Sequence, residues 1–505
     1  MTPLPHLLRT HLLRNSRYNF PIRTLHGVST APLNLNLLAA MTKTAEHTHI
    51  LGDGAVGVQT RSAEVVVETR KEAKWKEGGV QPAHHANDSA SRFQNPWPSF
   101  RPLPASRWLR FFATSPFSLP EIPNNLSAQI PSQVPDWGAG NAPDSVKATW
   151  LGHACFLLEM PTPQGAARGP RILFDPVLSH RCSPISWLGP GRLLPTPCVA
   201  EDLPEVDAVV ISHNHYDHMD AATLKTAWDL HHPRFFAPLG NMPHFEAMGI
   251  PASHVHLLDW WEESAVTVSL LPAPGSATDV HPQASFVLTC TPAQHTANRG
   301  TLDRWQTLWA SWAVSEDLDS PGARRAGKQV YFTGDTGYRT VLPGEDEDAV
   351  PRCPAFAEVG ERFGGFDLAL IPIGAYGPRD MWSGLHASPA DAVEIFKDLG
   401  ARKAIGMHWG TWTLTSEPVM EPPRLLKECA AKAGLAPDAF SQLFDIDEQL
   451  FDIDEQLFDI DEQLFDIDEQ LFDIDEQLFD IKRLRLPLAW SSTKSRCRKY
   501  VDTCV

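Results

Sequence analysis

Three imidazoles and a carboxylate stand within six residues at His213-Asn214-His215-Tyr216-Asp217-His218. All four are ligands for Zn²⁺ or a similar borderline metal. Burying such groups side by side is costly unless a cation supplies the charge they share. The preceding Asp207-Ala208-Val209-Val210-Ile211-Ser212 reads as an apolar strand, so the HxHxDH cluster occupies the loop at a strand's end. A solvated histidine-rich loop would instead belong to a low-complexity run.

One loop cannot complete two coordination shells, and the ends of other strands offer the remaining ligands. His295 follows FVLTC in the segment TPAQH, Asp335 follows QVYFT in the turn GDTG, and His408 follows KAIGM before a Trp-Gly turn. Each stands at the C-terminal end of an apolar strand, the usual edge for a site in an α/β protein. Taken singly, a His or Asp there is more often a local hydrogen-bonding residue. In this order after HxHxDH, the set points to a metal centre.

The elements that must position these residues are short apolar runs alternating with helical patterns from Val146 onward. Strands are expected at 147–151, 154–159, 171–174, 207–211, 234–237, 266–271, 286–290, 308–314, 329–333, 367–372 and 403–407. Helices are expected at 220–230, 389–399 and 423–433. The second is well delimited: Ser388 is a natural N-cap, Pro389 suits the first helical position, Asp391 favours the first turn, and Gly400 suits the end. This alternation predicts a layered α/β domain.

Composition bounds the class. The 505 residues provide ample material for a core, and 43% apolar content is ordinary for a globular protein. No stretch approaches the roughly 18 uninterrupted apolar residues of a spanning helix. A net charge of −18 argues against nucleic acid held by general electrostatics, yet the charge is unevenly placed. Residues 1–45 contain no Asp or Glu but carry Arg9, Arg14, Arg17, Arg23 and Lys43. They read as a mitochondrial targeting segment, or as a mere extension, with Met41 as an alternative start giving a cytosolic form. From Phe444 the heptad FDIDEQL repeats five times and begins again at Phe479, so 444–481 is strongly acidic. Residues 482–505 are a basic tail, with seven Lys or Arg against Asp502. The eight cysteines form no CxxC pair and read mostly as free thiols of a reducing compartment.

Residues 46–90 are polar and read as a disordered linker. Order is expected to begin near Arg92, where Phe93, Trp97, Phe100, Trp108, Phe111 and Phe112 mix with prolines and arginines. Such a mixture suits a lipid interface, or an extended arm clamped onto the core by its rings, or both.

Between about Phe93 and Ala439, NPWPS, TWLGHACFL, ILFDPVLSHRCSP, SHNHYDHMD, LDWWEE, TPAQH, LWASWAV, YFTGDTGY, IPIGAYGPR, HASPADA and MHWGTW appear in turn. The chain resembles the metallo-β-lactamase superfamily. More narrowly, through LDWWEE, IPIGAYGPR and MHWGTW, it resembles the N-acyl-phosphatidylethanolamine-hydrolysing phospholipase D family. That resemblance implies a metallo-β-lactamase-like αββα sandwich over 91–443 and two Zn²⁺ per chain. His213, His215 and His295 would hold one ion, Asp217, His218 and His408 the other, and Asp335 would bridge them. Adjacent Asp217 and His218 can point to one side of the loop while His213 and His215 point to the other, in agreement with this division. A hydroxide shared by the ions would attack phosphorus, releasing N-acylethanolamine and phosphatidic acid. Catalytic roles then fall to Asp335 and His386, and substrate contacts to Tyr216 and His386. His386 stands two residues before the expected cap of the 389–399 helix, whose amide end favours an anion. The plainer reading of His386 is an exposed loop histidine. His153 in WLGHACF and Asp175 in LFDP match family positions as supports for the ligands.

The expected partners are a phospholipid substrate and, peripherally, a membrane surface, with no nucleic acid; a homodimer is compatible with this. The expected address is mitochondrial and membrane-associated, or the cytosolic face of intracellular membranes. A rival enzyme reading is a superfamily hydrolase of another phosphodiester or a lactone, because ligands do not encode the acyl pocket. A non-catalytic lipid-binding or scaffold protein built around the repeat is the non-enzymatic alternative. In the repeat itself Phe, Ile and Leu form no coiled-coil seam, and the odd period flips a strand's face at each copy. It reads as an expanded acidic helix or tail.

Overall fold

Alternate residues of the apolar runs part to opposite sides, and this pattern builds the layers. A computed structural model of the chain describes residues 64–71, 80–104, 106, 107, 109, 120, 122–276, 280–300, 302–317 and 327–441. In chain order the elements are β1 Glu64–Lys71, β2 Lys147–Trp150, β3 Phe156–Glu159, β4 Arg171–Phe174, β5 Ala208–Val210, α1 Ala221–His231, β6 Arg234–Pro238, α2 Met242–Ala247 and β7 Val255–Leu258. They continue as β8 Glu263–Ser269, β9 Gln283–Thr291, β10 Ser311–Glu316, β11 Gln329–Phe332, α3 Ala355–Phe363, β12 Phe366–Pro372, α4 Pro389–Leu399, β13 Ala401–Met407, α5 Glu421–Lys432 and β14 Phe440–Ser441.

One sheet runs β1-β8-β9-β10-β11-β12-β13-β14 and the other β2-β3-β4-β5-β6-β7. Strands β4 to β7 are parallel, as are β11 to β14, while β8 to β11 alternate in direction. Strands β9, β11, β12 and β13 therefore end at one edge. In β5, Ala208 and Val210 join the core between the sheets while Val209 faces away with Leu224 of α1 and Phe245 of α2. In β12, Leu368 and Leu370 face the inter-sheet core, whereas Ala369 and Ile371 pack with Phe356 of α3, Ile395 of α4 and Leu426 of α5. Helices thus cover the outer face of each sheet, giving the αββα sandwich. Phe174 of β4 and Phe332 of β11 meet across the two sheets, ring centroids 4.6 Å apart. Complete burial of such a ring contributes about 2–3 kcal/mol relative to exposure.

The expected strands and the three expected helices form, with shifts at their ends. Strand β10 starts at Ser311 rather than Leu308, because the Leu308 and Ala310 amides donate to Leu239 and Ser212 at the ends of the opposite sheet. Helix α4 carries a full capping box: Ser388 Oγ accepts from the Asp391 amide and the Asp391 side chain accepts from the Ser388 amide. Strands β7 and β14 and helices α2 and α3 were not foreseen. Each is short, and the signal in β7, Val-His-Leu-Leu, is interrupted by a histidine.

The linker expectation for 46–90 is corrected by the structure. Glu64–Lys71 is β1, paired antiparallel to β8 at the edge of the first sheet. Its signal is a period of two among charges, with Val65 buried and Glu64, Val66 and Glu68 exposed. His84 and His85 are also buried. The rings of the arm point inward. Phe93 lies in the inter-sheet core, Trp97 stacks on Trp260 at 5.5 Å, and Phe100 meets the edge of Trp305 at 6.0 Å. Arg101 pairs with Glu345 and Arg107 with Asp380. The described part of the arm is therefore a clamp. Trp108, Phe111, Phe112, the 1–45 segment, the heptad repeat and the basic tail lie outside the described residues.

Both histidines of the clamp reach one carboxylate: His84 Nε2 is 2.7 Å from Asp259 Oδ1, and His85 Nε2 is 2.8 Å from Asp259 Oδ2. Burial lowers the His84 pKa below its ordinary 6.5, more than Asp259 raises it. Burial alone would raise Asp259, but hydrogen bonds from His84 and His85 outweigh it and hold the carboxyl well below 3.8. Glu262 also faces this group, accepting from the Asp259 amide. As pH falls below about 6.5, the unfolded chain gains a proton at residue 84 that the folded arm resists, so stability falls with acidification. The Asp259 contribution persists above its ordinary range and is lost last. Hydrogen exchange at Phe93 and Gln94, corrected for intrinsic rate, should accelerate relative to α4 between pH 7.5 and 5. Equal protection at both pH values would refute the assignment.

Among the described residues, Cys155, Cys182, Cys198, Cys290, Cys353 and Cys429 are free thiols. No described helix is long and apolar enough to cross a membrane.

Candidate metal centre

The C-terminal ends of β4, β5, β9, β11 and β13 converge, and each delivers a candidate residue. Asp175 follows β4, the histidine cluster follows β5, His295 lies beyond β9, Asp335 beyond β11, and His408 directly follows β13. Gly334 makes the approach of Asp335 possible. Its φ is +56°, and a Cβ there would stand 2.4 Å from Ser212 Cβ, next to His213.

Two sets of ligand atoms result, each gathered within 4.8 Å: His213, His215, His295 and Asp335, and His153, Asp217, His218 and His408. In the first set His213 Nε2 lies 2.7 Å from His215 Nδ1, and His295 Nε2 lies 3.4 Å from the same atom. Asp335 Oδ2 is 3.9 Å from His213 Nε2 and 3.7 Å from His295 Nε2. In the second, His218 Nε2 and His408 Nε2 are 3.2 Å apart, and Asp217 Oδ2 is 3.5 and 3.6 Å from them. Asp335 also reaches this set, with Oδ2 3.2 Å from His218 Nε2 and Oδ1 2.9 Å from His408 Nε2. It stands between the two sets.

The outward nitrogens show that the donor set suits metal ions. Ser212 Oγ donates to Asp175 Oδ2 at 2.5 Å, so it accepts from His213 Nδ1 at 2.9 Å. The Asn298 amide nitrogen donates to the Gly300 carbonyl, which leaves its Oδ1 to accept from His215 Nε2 at 3.2 Å. His295 Nδ1 donates to the Leu385 carbonyl at 2.9 Å, and His218 Nδ1 to Asp175 Oδ2 at 2.7 Å. With these protons held outside, the inward nitrogens of His213, His215 and His295 present lone pairs to one another, an arrangement that a cation relieves.

The electrostatics agree. Burial, reinforced by neighbouring imidazoles, holds His213 well below its ordinary pKa, and burial likewise holds His295 well below. Burial would lower His218 and His408, but Asp335 and Asp217 outweigh it, and His408 is raised to about 9. Burial would raise Asp335 and Asp217, yet the facing histidines hold both well below the carboxylate range. Protonation cannot satisfy both sets at once.

His153 and Asp175 each hydrogen-bond a candidate ligand. His153, lowered to about 3 by burial and therefore neutral, donates to Asp217 Oδ2 at 2.9 Å and accepts the His408 amide at its own carbonyl. The plainer reading of His386 as an exposed loop residue is corrected: its side chain is only 12% exposed, with Nδ1 3.8 Å from Asp335 Oδ2. Burial lowers it to about 4, so at neutral pH it is an uncharged hydrogen-bonding group. The helix-end argument for anion binding also changes. The N-terminus of α4 is occupied by the Ser388–Asp391 capping box, and the Asp391 carboxylate additionally receives Arg339 and Arg379. Tyr216 is not among the gathered ligand atoms; its half-buried ring lies under the Arg299 guanidinium at 3.9 Å. Arg299 also donates to the Asn214 and Met219 carbonyls, so it clasps the histidine loop. Neither Arg299, Asn298 nor Ser212 carried a signal in the sequence beyond standing next to a ligand segment.

This fold and centre place the chain in a class of metal-dependent hydrolases: residues 170–409 match the family model described as the beta-lactamase superfamily domain. The chain is 35% identical over 320 residues to N-acyl-phosphatidylethanolamine-hydrolyzing phospholipase D 1 of Caenorhabditis elegans, covering 62% of this chain and 78% of that protein. It is 27% identical over 386 residues to the mitochondrial N-acyl-phosphatidylethanolamine-hydrolyzing phospholipase D of Saccharomyces cerevisiae, covering 68% and 72%. Among solved structures, a metallo-hydrolase of Ignicoccus hospitalis aligns over 59% of this chain and 94% of its own at 21% identity and a TM-score of 0.37. The chain belongs to the N-acyl-phosphatidylethanolamine-hydrolysing phospholipase D family within the metallo-β-lactamase superfamily.

Proposed function

We propose that the protein is a zinc-dependent phospholipase D-type phosphodiesterase that hydrolyses N-acyl-phosphatidylethanolamine to N-acylethanolamine and phosphatidic acid. The observation that carries this reading is the convergence of His213, His215, His295, Asp217, His218 and His408 on Asp335, with His386 facing the same carboxylate. Kinship to the two phospholipases D supports the choice of substrate. Residues His213, His215 and His295 would hold one Zn²⁺, Asp217, His218 and His408 the other, with Asp335 shared. Two such ions supply Lewis acidity for a phosphate and acidify a water toward neutral pKa. In the reaction, the oxygen of water joins phosphorus, the bond from phosphorus to the N-acylethanolamine oxygen breaks, and that oxygen takes a proton. His386 is suited to hydrogen-bond the phosphate or the departing oxygen through its neutral ring. Tyr216, held under Arg299 at the rim, is suited to contact substrate.

The test is product analysis. Purified protein loaded with zinc should release N-acylethanolamine and phosphatidic acid from mixed micelles. About two zinc ions per chain with turnover of another phosphodiester but none of this lipid would shift the reading to the rival hydrolase. Bound metal with no turnover of any phosphodiester would favour a binding protein.

The substrate resides in bilayers, which supports peripheral membrane contact. The yeast relative is named as mitochondrial, and the acid-free, basic 1–45 segment supports the same address. A fusion lacking residues 1–40 should lose mitochondrial import; unchanged import would refute that address signal.

A further inference from the structure

In the metal-centre reading the ring of His295 is held by the Leu385 carbonyl, but its own peptide groups find no partner in a strand. His213, His215, Asp217 and His218 sit on a short loop anchored to β5, and His408 directly follows β13. His295 instead stands beyond the end of β9 at Thr291, outside the sheet ladder. Its peptide groups still need partners, and a ligand whose main chain is loose cannot hold its ring.

Both partners come from the arm. The Asn95 side-chain nitrogen donates to the His295 carbonyl at 2.7 Å, and the His295 amide donates to Asn95 Oδ1 at 3.2 Å. The two bonds fix the orientation of the Asn95 amide. Among the described residues, the main chain of His295 makes no other hydrogen bond. Asn95 is in turn held on both sides. The Phe93 amide donates to the Trp305 carbonyl, the Gln94 amide to the His84 carbonyl, and Ser99 Oγ to Gln294 Oε1 at 2.5 Å, one residue before His295. Below them, His84 and His85 close on Asp259. The arm lies outside the span matched by the superfamily domain, residues 170–409.

We propose that Asn95 is a positioning residue of the metal centre, through which the N-terminal arm sets His295 against His213 and His215. The arm is then part of the site rather than only a strap over the core. Removing a group that orients a ligand costs about 10–100-fold in metal affinity or activity. The inference rests on the reading of His295 as a zinc ligand.

Zinc affinity is the readout, measured by competition with a chelator of known affinity. Asn95→Ala should weaken one of the two bound equivalents about tenfold or more, and should shift the visible bands of the cobalt-substituted protein. Asn95→Asp keeps the acceptor but loses the donor and sets a charge against the His295 carbonyl, so it should weaken the same equivalent. Gln94→Ala, which removes only an exposed bond to the Ala83 carbonyl, should leave both equivalents and the spectrum unchanged. Parent affinity and parent spectrum in both Asn95 variants would overturn the proposal; if the Ala variant fails to fold, the Asp variant decides alone. His295→Ala separates the two readings. Should it retain both equivalents at full affinity, the assignment of His295 as a ligand has failed, and the role of Asn95 with it.

Discussion

Asp335→Asn is expected to lower turnover of N-acyl-phosphatidylethanolamine at least about 100-fold, the loss typical when a charged group is removed from a preorganised centre. Asp175 meets His218 from outside, at Nδ1, whereas the Asp335 carboxylate faces the inward nitrogens of both ligand sets. Its two oxygens lie within 3.9 Å of nitrogens on His213, His218, His295, His386 and His408. Asparagine preserves shape but removes the charge and turns one oxygen into an N–H donor. That donor would face imidazole nitrogens or a cation instead of balancing them. Zinc content should fall together with kcat, because the proposed pair of ions would lose its shared ligand. Activity within a few-fold of the parent, at full metal content, would remove Asp335 from the proposed role.

Chelation of the metal should lower the Tm by on the order of 10 °C, and zinc should restore it. A ligand present at a thousand times its Kd stabilises the folded state by about 4 kcal/mol, and each kcal/mol moves the Tm of a domain this large by roughly 2–4 °C. The physical source lies in the cluster. His213 Nε2 and His215 Nδ1 are 2.7 Å apart, with their other nitrogens already occupied by Ser212 and Asn298, so without a cation two lone pairs oppose each other. Asp335, buried, and Asp217, half-buried, add negative charge. Thermal melts with and without chelator, with metal removal verified by elemental analysis, provide the check. Coincident melts would show that the ligands are satisfied by one another, and the metal reading would fall.

Much of the centre was legible because its chemistry is carried by side-chain type and by the end of a strand. The apolar run before His213, the turn around Asp335 and the strand before His408 are local patterns, and the structure gathers their ligands into one centre. Helix α4 was legible for the same reason, since Ser388, Pro389, Asp391 and Gly400 act within a turn of the helix end they specify. Strand β1 was missed because its valines are embedded among charges and pair with β8, almost 200 residues away in sequence. The N-terminus of α4 was misjudged as a seat for phosphate because Arg339 and Arg379, which turn toward Asp391, come from other segments.

By itself the sequence determined the inventory of candidate ligands, the α/β layering and the unequal charge of the chain's segments, since each follows from residue type and short-range periodicity. Only the tertiary structure decided which nitrogen of each imidazole faces inward, because the acceptors Ser212, Asn298, Leu385 and Asp175 arrive on different loops. It likewise decided that His386 turns inward to stand beside Asp335 and that the main chain of His295 is held by Asn95. A hydrogen bond between residues 200 positions apart leaves no period and no spacing for a sequence to show.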